Sequence, residues 1–188
     1  MKGKCILFSA PSGAGKTTIV HYLLSRESRL EFSVSACSRA PRANEKHGVD
    51  YYFFSVDEFQ NRIAAGDFIE WEEVYPGSYY GTLRSEIERI HAKGNHVLFD
   101  IDVMGGINLK KIFGNEAISI FVMPPSLEIL KERLISRGSD SRETIEKRIT
   151  KASWEMEQAP HFDVIVFNDE ITRSREEALK LVRNFIES

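Results

Sequence analysis

The sequence predicts an α/β fold in which a mostly parallel, five-stranded sheet is covered by helices on both faces. Short apolar segments rich in Val, Ile and Phe, typical of strands buried on both faces, alternate with helical patterns. The strand segments are 5–10, 32–37, 96–102, 117–123 and 162–167. Alternation of strand and helix favours right-handed crossover connections and parallel pairing. A Gly-rich turn after the first strand is the third observation that supports this fold class.

Length and composition limit the function classes. A chain of 188 residues, 42% hydrophobic and 28% charged, is the size of one domain with room for small inserted lobes. The net charge of −3 argues against a nucleic-acid polymer as partner, so a phosphorylated ligand needs locally concentrated Arg and Lys. Two cysteines, Cys5 and Cys37, cannot build a disulfide framework. The first apolar run is too short for an export signal and no segment could span a bilayer, so we expect a cytoplasmic location without membrane partners.

Helical patterns lie between and after the strands. The predicted helices are 16–25, one near 57–65, 83–92, 107–113, 127–137, 141–157 and 173–186. Residues 39–82 are polar and rich in Gly and aromatic side chains, which predicts a small β-rich lobe. Residues 137–148, "RGSDSRETIEKR", form a charged junction, interpreted either as a mobile lid or as a solvated helical hairpin.

The stretch "SAPSGAGKTT" has the composition of a phosphate-binding loop. Small residues let successive backbone N–H groups turn toward one anion, and the following helix directs its positive end at the same place. Lys16 can reach terminal phosphates and the Thr17 hydroxyl can ligate Mg²⁺. Ala10 stands where the usual pattern has Gly, a small departure if its φ is negative. The predicted ATP-binding residues are Ala10, Pro11, Ser12, Gly13, Ala14, Gly15, Lys16, Thr17 and Thr18. A Gly-rich turn that binds nothing is the alternative.

The segment "SRAPR" suggests a second anion site. Arg39 and Arg42 lie close together with Pro41 stiffening the turn, and two guanidinium groups suit a phosphate dianion better than two Lys would. The Tyr51 hydroxyl can donate to the same anion. Ordinary surface arginines are the alternative interpretation when this segment is taken alone.

Six segments together resemble the guanylate kinase family in order and spacing. They are "SAPSGAGKTT", "SVSACSRAPR", "HGVDYYF", "FIEWEEV", "YYGT" and "FDID", and the likeness runs from Cys5 to about Asn168. The resemblance implies a three-layer P-loop kinase core (1–33, 83–125 and 156–188), a GMP-binding lobe (34–82) and a helical lid (126–155). It implies transfer of the γ-phosphate of ATP to GMP with Mg²⁺, giving ADP and GDP in purine nucleotide metabolism and GMP recycling. ATP, GMP and also dGMP are the expected substrates, with no obligate protein partner.

The resemblance also implies roles for individual residues. The GMP phosphate would be held by Arg39, Arg42, Tyr51 and Tyr80. Guanine would be read by Ser35, Glu70 and Thr82, with Asp100 and Asp102 beside the nucleoside. Thr17 would bind Mg²⁺, with Asp100 as a second candidate through a water molecule, and Asn168 would line the adenine pocket. The catalytic residues would be Lys16, Arg39, Arg137 and Arg148.

The chemistry of guanine agrees with these roles. A carboxylate such as Glu70 can accept from guanine N1–H and N2–H₂ at once, whereas the bare N1 acceptor of adenine would face it with repulsion. This argues against a related kinase acting on another nucleotide or a sugar phosphate. A scaffold domain that binds phosphorylated peptides is the other alternative, and the presence of Lys16 and Thr17 argues against it. Met104 stands where the family often has Gln, which affects a peripheral contact.

Overall fold

The computed structural model describes residues 3–136 and 142–188, and it confirms the predicted fold class. A five-stranded parallel sheet in the order β2-β7-β1-β8-β9 forms the centre. Its strands are β1 (Cys5–Ser9), β2 (Leu30–Phe32), β7 (His96–Asp100), β8 (Ala117–Met123) and β9 (Val164–Phe167). The jumps in strand order are the crossovers that parallel pairing requires.

Helices cover both faces of this sheet because successive side chains of the central strand point in opposite directions. Ile6 and Phe8 of β1 pack with α1 and α7, and Cys5 and Leu7 pack with α3 and α4. The helices are α1 (Lys16–Arg26), α2 (Val56–Ala64), α3 (Arg84–Ala92), α4 (Val103–Phe113), α5 (Leu127–Ser136), α6 (Arg142–Glu157) and α7 (Ile171–Glu187). The core is therefore a three-layer α/β arrangement.

A second, smaller sheet is inserted between β2 and α3. Its four strands run in the order β4-β3-β6-β5, with β5–β6 and β3–β6 antiparallel. The strands are β3 (Ala36–Cys37), β4 (Tyr52–Phe53), β5 (Phe68–Tyr75) and β6 (Ser78–Leu83). Phe59 of α2 is fully buried and stacks on Phe68 and Tyr79, with ring centroids 4.4 and 5.6 Å apart. This aromatic cluster gives the second sheet a core of its own.

Two predicted boundaries are wrong. The apolar segment 32–37 is not one strand, because the chain leaves the parallel sheet after Phe32 and joins the second sheet at Ala36. A run of apolar residues carries no sign of a change of sheet. Helix α4 begins at Val103 rather than at 107, since the Asp102 side chain accepts from Gly105 N at 2.9 Å and caps it. No helix within the described residues is long and apolar enough to cross a membrane.

Candidate active site

The Gly-rich loop joins β1 to α1 as predicted. Gly13 and Gly15 have φ angles of 94° and 93°, in the left-handed region that favours glycine. Gly15 is the N-cap residue of α1, which begins at Lys16. No residue other than glycine has a positive φ in the described parts of the chain, so Ala10 takes the place of Gly without strain. The loop therefore has the backbone conformation that turns N–H groups toward an anion.

Asp100 contacts both polar side chains at the start of α1. Its Oδ1 lies 2.6 Å from Lys16 Nζ, and its Oδ2 accepts from Thr17 Oγ1 at 3.0 Å. Lys16 Nζ also donates to the Ile101 carbonyl at 2.6 Å. These contacts arise because β7 pairs in parallel with β1, with Asp100 opposite Phe8 at the carboxyl edge of the sheet.

The two acidic residues at the carboxyl end of β7, Asp100 and Asp102, thus have different surroundings. Asp100 faces the loop, and Asp102 caps α4 while also lining the cleft. The Thr17 hydroxyl and the Asp100 carboxylate are hard oxygen donors of the kind that Mg²⁺ prefers. Within the described residues there is no cluster of three or more His, Cys, Asp or Glu that could hold a metal ion by itself. Thr17 and Asp100 therefore provide two oxygen donors for a Mg²⁺ ion, which would take its other ligands from elsewhere.

A cavity of about 620 Å³ lies between the loop and the second sheet. Its lining comes from the loop and the start of α1, from the second sheet and residues beside it, from the end of β7 with the start of α4, and from helix α6. The lining residues are Ala10 to Gly13, Gly15 to Thr18, Ser35, Tyr51, Glu70, Glu72, Val74, Tyr80, Gly81, Asp100 to Met104, Lys151, Trp154 and Glu155. Of the predicted guanine-binding residues, Ser35 and Glu70 line it directly.

Among the acidic residues that line the cavity, Glu70 has the most strongly raised pKa. It lies opposite Thr82 in the β5–β6 ladder, and Thr82 Oγ1 donates to Glu70 Oε1 at 2.9 Å. Burial raises the pKa of Glu70 to about 7, and the nearby charges of Asp102 and Glu72 act in the same direction, while the Thr82 hydrogen bond opposes them. A buried carboxylate that has few donors is suited to a ligand that brings N–H groups of its own.

Two of the predicted phosphate-binding residues, Arg39 and Arg42, contact Glu45, a residue that the sequence analysis missed. Arg39 donates to both Glu45 oxygens at 2.6 and 2.7 Å, and Arg42 N donates to Glu45 Oε2 at 2.8 Å. These contacts lower the pKa of Glu45 to about 2, with the Arg39 hydrogen bonds as the largest cause. No spacing rule links a loop Glu to an Arg six residues earlier, so the sequence offered no signal.

Aromatic rings connect this arginine cluster to the cavity. The Arg39 guanidinium lies 5.0 Å from the centroid of the Tyr51 ring, and Tyr51 meets Tyr80 edge-on at 6.1 Å. Tyr51 and Tyr80 line the cavity. The Arg42 side chain is 77% exposed, and its Nη1 comes no closer than 4.0 Å to Glu45 Oε1. Arg39 is therefore held in position, whereas Arg42 extends into solvent.

Helix α6 contacts the Gly-rich loop and also lines part of the cavity. Arg148 Nη1 donates to Ser12 Oγ at 3.0 Å, which brings this predicted catalytic arginine to the loop. Arg137, the other one, lies outside the described residues. Three further residues of α6, Lys151, Trp154 and Glu155, line the cavity. The sequence analysis missed all three because they follow the charged junction in an ordinary helical pattern.

The buried Asn168 side chain packs against the Gly-rich loop and donates a hydrogen bond to it. It is only 3% exposed, and its Nδ2 donates to the Ala14 carbonyl at 2.6 Å. A Cβ at Gly15 would lie 2.3 Å from the same Nδ2, so this amide fits only against glycine. The side chain is absent from the lining of the cavity within the described chain. Its contact with adenine stays a prediction.

Comparisons with known proteins give one consistent result. A family model described as guanylate kinase matches residues 2–188. A guanylate kinase of Bacteroides fragilis is 50% identical over 185 residues, which cover 98% of this chain and 91% of the relative. One from Porphyromonas gingivalis is 49% identical over 97% of this chain and 98% of its own length. A crystal structure of guanylate kinase from Anaplasma phagocytophilum superposes with a TM-score of 0.80 at 30% identity, covering 99% of this chain and 87% of that one.

Proposed function

The chain belongs to the guanylate kinase family, and from this premise we propose how its cleft divides the work between two nucleotides. The protein is an ATP:GMP phosphotransferase that forms ADP and GDP. ATP binds at the loop of Ala10 to Thr18, and GMP binds against the second sheet. Residues 34–82 act as the GMP-binding lobe, 126–155 as the lid and the remainder as the core.

One observation supports the assignment of ATP to the loop and of GMP to the second sheet. Two pairs of residues lie at one cavity. The first is the ion pair of Lys16 and Asp100, which both line the cavity. The second is Glu70, which lines the cavity, and Thr82, which donates to Glu70. The first pair offers a cation and a positive helix end for phosphates. The second offers a buried carboxylate for the N1–H and N2–H₂ of guanine. A phosphoryl donor and a guanine acceptor can therefore occupy the cavity together.

The GMP phosphate is proposed to bind beside Arg39, Arg42, Tyr51 and Tyr80. Glu45 accepts hydrogen bonds from both terminal nitrogens of the Arg39 guanidinium, and the face of this guanidinium packs on the Tyr51 ring. A guanidinium held at two points has little rotamer freedom left to lose when a phosphate arrives. Arg42 is exposed and would have to turn inward to make its contact.

The transfer step needs positioning and charge neutralisation rather than a general base. The acceptor phosphate is already anionic, so no proton has to be removed before attack. Lys16 and Arg148 are proposed to neutralise the transferring phosphoryl group, with Arg137 as a third cation from the lid. Mg²⁺, held through Thr17 and Asp100, would add charge neutralisation on the donor phosphates. The same grip on base and phosphate would accept dGMP as well as GMP.

A coupled assay of ADP release tests the acceptor directly. Purified protein is supplied with ATP and MgCl₂ and, in separate reactions, with GMP, dGMP, AMP, CMP or UMP. Turnover with GMP and dGMP alone is the expected result. Turnover with AMP at a comparable kcat/KM would overturn the guanine assignment of Ser35, Glu70 and Thr82.

A further inference from the structure

Strand β5 and helix α6 both contribute charged side chains to the cavity that contains the proposed GMP site. On β5, Glu70 and Glu72 share a face because strand side chains alternate. On α6, Arg148, Lys151 and Glu155 share a face through their spacings of three and four residues. Glu72 and Lys151 both line the cavity, and each comes from a different one of these two elements.

The present contacts of these two side chains are weak. Lys151 Nζ lies 3.7 Å from Glu155 Oε1, too far for a hydrogen bond, and the Lys151 side chain is half exposed. The Glu72 carboxylate has neither a hydrogen bond nor an ion pair within 4.0 Å among the residues that the structure describes. Among the described residues, the half-buried Glu72 carboxylate therefore has no close partner, and Lys151 has only the long ion pair with Glu155.

The charges around Glu72 favour a cation. Burial raises the pKa of Glu72, the neighbouring Asp102 raises it further, and Lys151 across the cavity lowers it. Burial also raises the pKa of Glu155, which is only 6% exposed. Lys151 is the one cation of α6 that lines the cavity within the described chain. Lys151 is therefore the cation of α6 that can pair with Glu72 as well as with Glu155.

We propose that Lys151 and Glu72 form a charge pair between α6 and the GMP-binding lobe, and that this pair positions α6 over the bound nucleotides. Lys151 is a positioning residue in this scheme, because it acts through the helix that carries Arg148. Arg148 lies three residues before Lys151 and already contacts Ser12 of the loop. Fixing the helix against β5 therefore fixes the guanidinium that meets the transferring phosphoryl group.

This inference rests on the proposed position of GMP against the second sheet. Glu70→Gln separates the two ideas: unchanged GMP affinity in that variant would contradict the proposed GMP position, whereas a wrong charge pair would leave the Glu70→Gln effect intact and remove only the coupling between Glu72 and Lys151. The test is a charge exchange with Lys151→Glu, Glu72→Lys and the double variant. Each is assayed for kcat and for KM of GMP and ATP, with thermal unfolding as a check on folding.

Each single reversal sets like charges against each other, and we expect kcat/KM for GMP to fall by about fivefold or more. The double variant restores opposite charges and should return to within about threefold of the unmodified protein. Lys147→Glu is the matched control, because it makes the same change one turn earlier on an exposed side chain. Losses that merely add in the double variant, or single reversals that match Lys147→Glu, would overturn the proposal. A reversal that unfolds is replaced by the neutral pair Lys151→Met and Glu72→Gln, for which a coupled, non-additive loss is expected.

Tryptophan emission gives a readout that does not depend on catalysis. The chain has two Trp residues, and Trp154 is 44% exposed on α6 beside the cavity, whereas Trp71 contacts Tyr79 of the lobe. In a Trp71→Phe background, GMP with a non-hydrolysable ATP analogue should change the emission of Trp154. Lys151→Glu in that background should shift the midpoint of this change to higher GMP concentration. An unchanged midpoint would contradict the positioning role.

Discussion

The Asp100 carboxylate lies 2.6 Å from the Lys16 ammonium and also accepts from the Thr17 hydroxyl at 3.0 Å. One side chain at the end of β7 therefore orients both polar groups that begin α1. The arrangement depends on parallel pairing of β1 and β7, which places Asp100 opposite Phe8, 92 positions earlier in the chain, at one edge of the sheet.

We expect Asp100→Asn to lower kcat by about 100-fold, because the amide removes the ion pair to Lys16 and weakens the oxygen site for Mg²⁺. Steady-state kinetics with ATP and GMP measure the loss, and calorimetry should show GMP affinity within a few-fold of normal. Asp57→Asn, the same change on the exposed start of α2, is the control. A kcat within threefold of the unmodified protein would show that Asp100 does not serve the transfer.

Lys16→Ala should abolish transfer while leaving GMP binding intact. Lys16 contacts Asp100 and the Ile101 carbonyl and comes from the loop, not from the lobe that is proposed to hold GMP. Titration calorimetry with GMP alone separates the two effects. A large loss of GMP affinity would mean that the acceptor, not ATP, occupies the loop.

Glu70→Gln should weaken GMP selectively and change the pH dependence of binding. With a pKa of about 7, the Glu70 carboxyl is protonated at pH 6 and accepts poorly from guanine N1–H and N2–H₂. GMP affinity of the unmodified protein should therefore rise by about tenfold between pH 6 and pH 8. Calorimetry at several pH values measures this rise. The variant should keep only the smaller dependence caused by the GMP phosphate, whose second pKa is about 6.

The same substitution should stabilise the protein in the absence of nucleotide. The pKa of Glu70 is higher in the folded chain than its usual value of 4.5, so the folded state binds the proton more tightly. This group therefore lowers stability as pH rises from about 4.5 to 7, and the penalty is complete at pH 8. Removing it should raise the free energy of unfolding at pH 8 by about 1–3 kcal/mol. Urea denaturation at pH 8 and pH 5 tests this, since a much smaller gain in the free energy of unfolding is expected at the lower pH.

Asn168→Ala should raise KM for ATP by about tenfold with little effect on GMP, because the loop loses a buried hydrogen bond to Ala14. The exposed residue Asn184 of α7 provides the control as Asn184→Ala. Kinetics with each substrate varied in turn measure the split. Equal rises in KM for ATP and for GMP would indicate that Asn168 stabilises the fold as a whole rather than the ATP-binding loop.

Glu86→Ala should destabilise the joint between core and lobe by about 3–5 kcal/mol. The Glu86 side chain is 3% exposed and accepts from Val34 N, the Tyr52 hydroxyl and Arg89. Burial works to raise its pKa, but these donors outweigh burial and lower it. Its contribution is therefore present at neutral pH and is lost as pH falls through the lowered value. Guanidinium denaturation at pH 7 should show the loss, and Glu88→Ala, exposed on the same helix, should not.

The α/β core, the Gly-rich loop and the family could all be predicted from the amino-acid sequence. Burial on both faces of a parallel strand leaves a continuous apolar run, and a left-handed turn before a helix demands glycine, so both are visible in local composition. The residues at 5–18 and the order of six short motifs carried this information. Local chemistry of this kind needs no knowledge of distant contacts.

Which side chains contact one another could not be predicted and became apparent from the folded chain. Asp100 and Asp102 are alike in sequence, yet sheet register turns one toward Lys16 while the other caps α4. The crossing from one sheet to another between Phe32 and Ala36 gave no local signal. Glu45, Glu72 and Lys151 look like ordinary solvated charges until the fold sets them against Arg39 and the cavity. Pairings between residues far apart in the chain depend on how separate elements pack, and a single sequence does not record that packing.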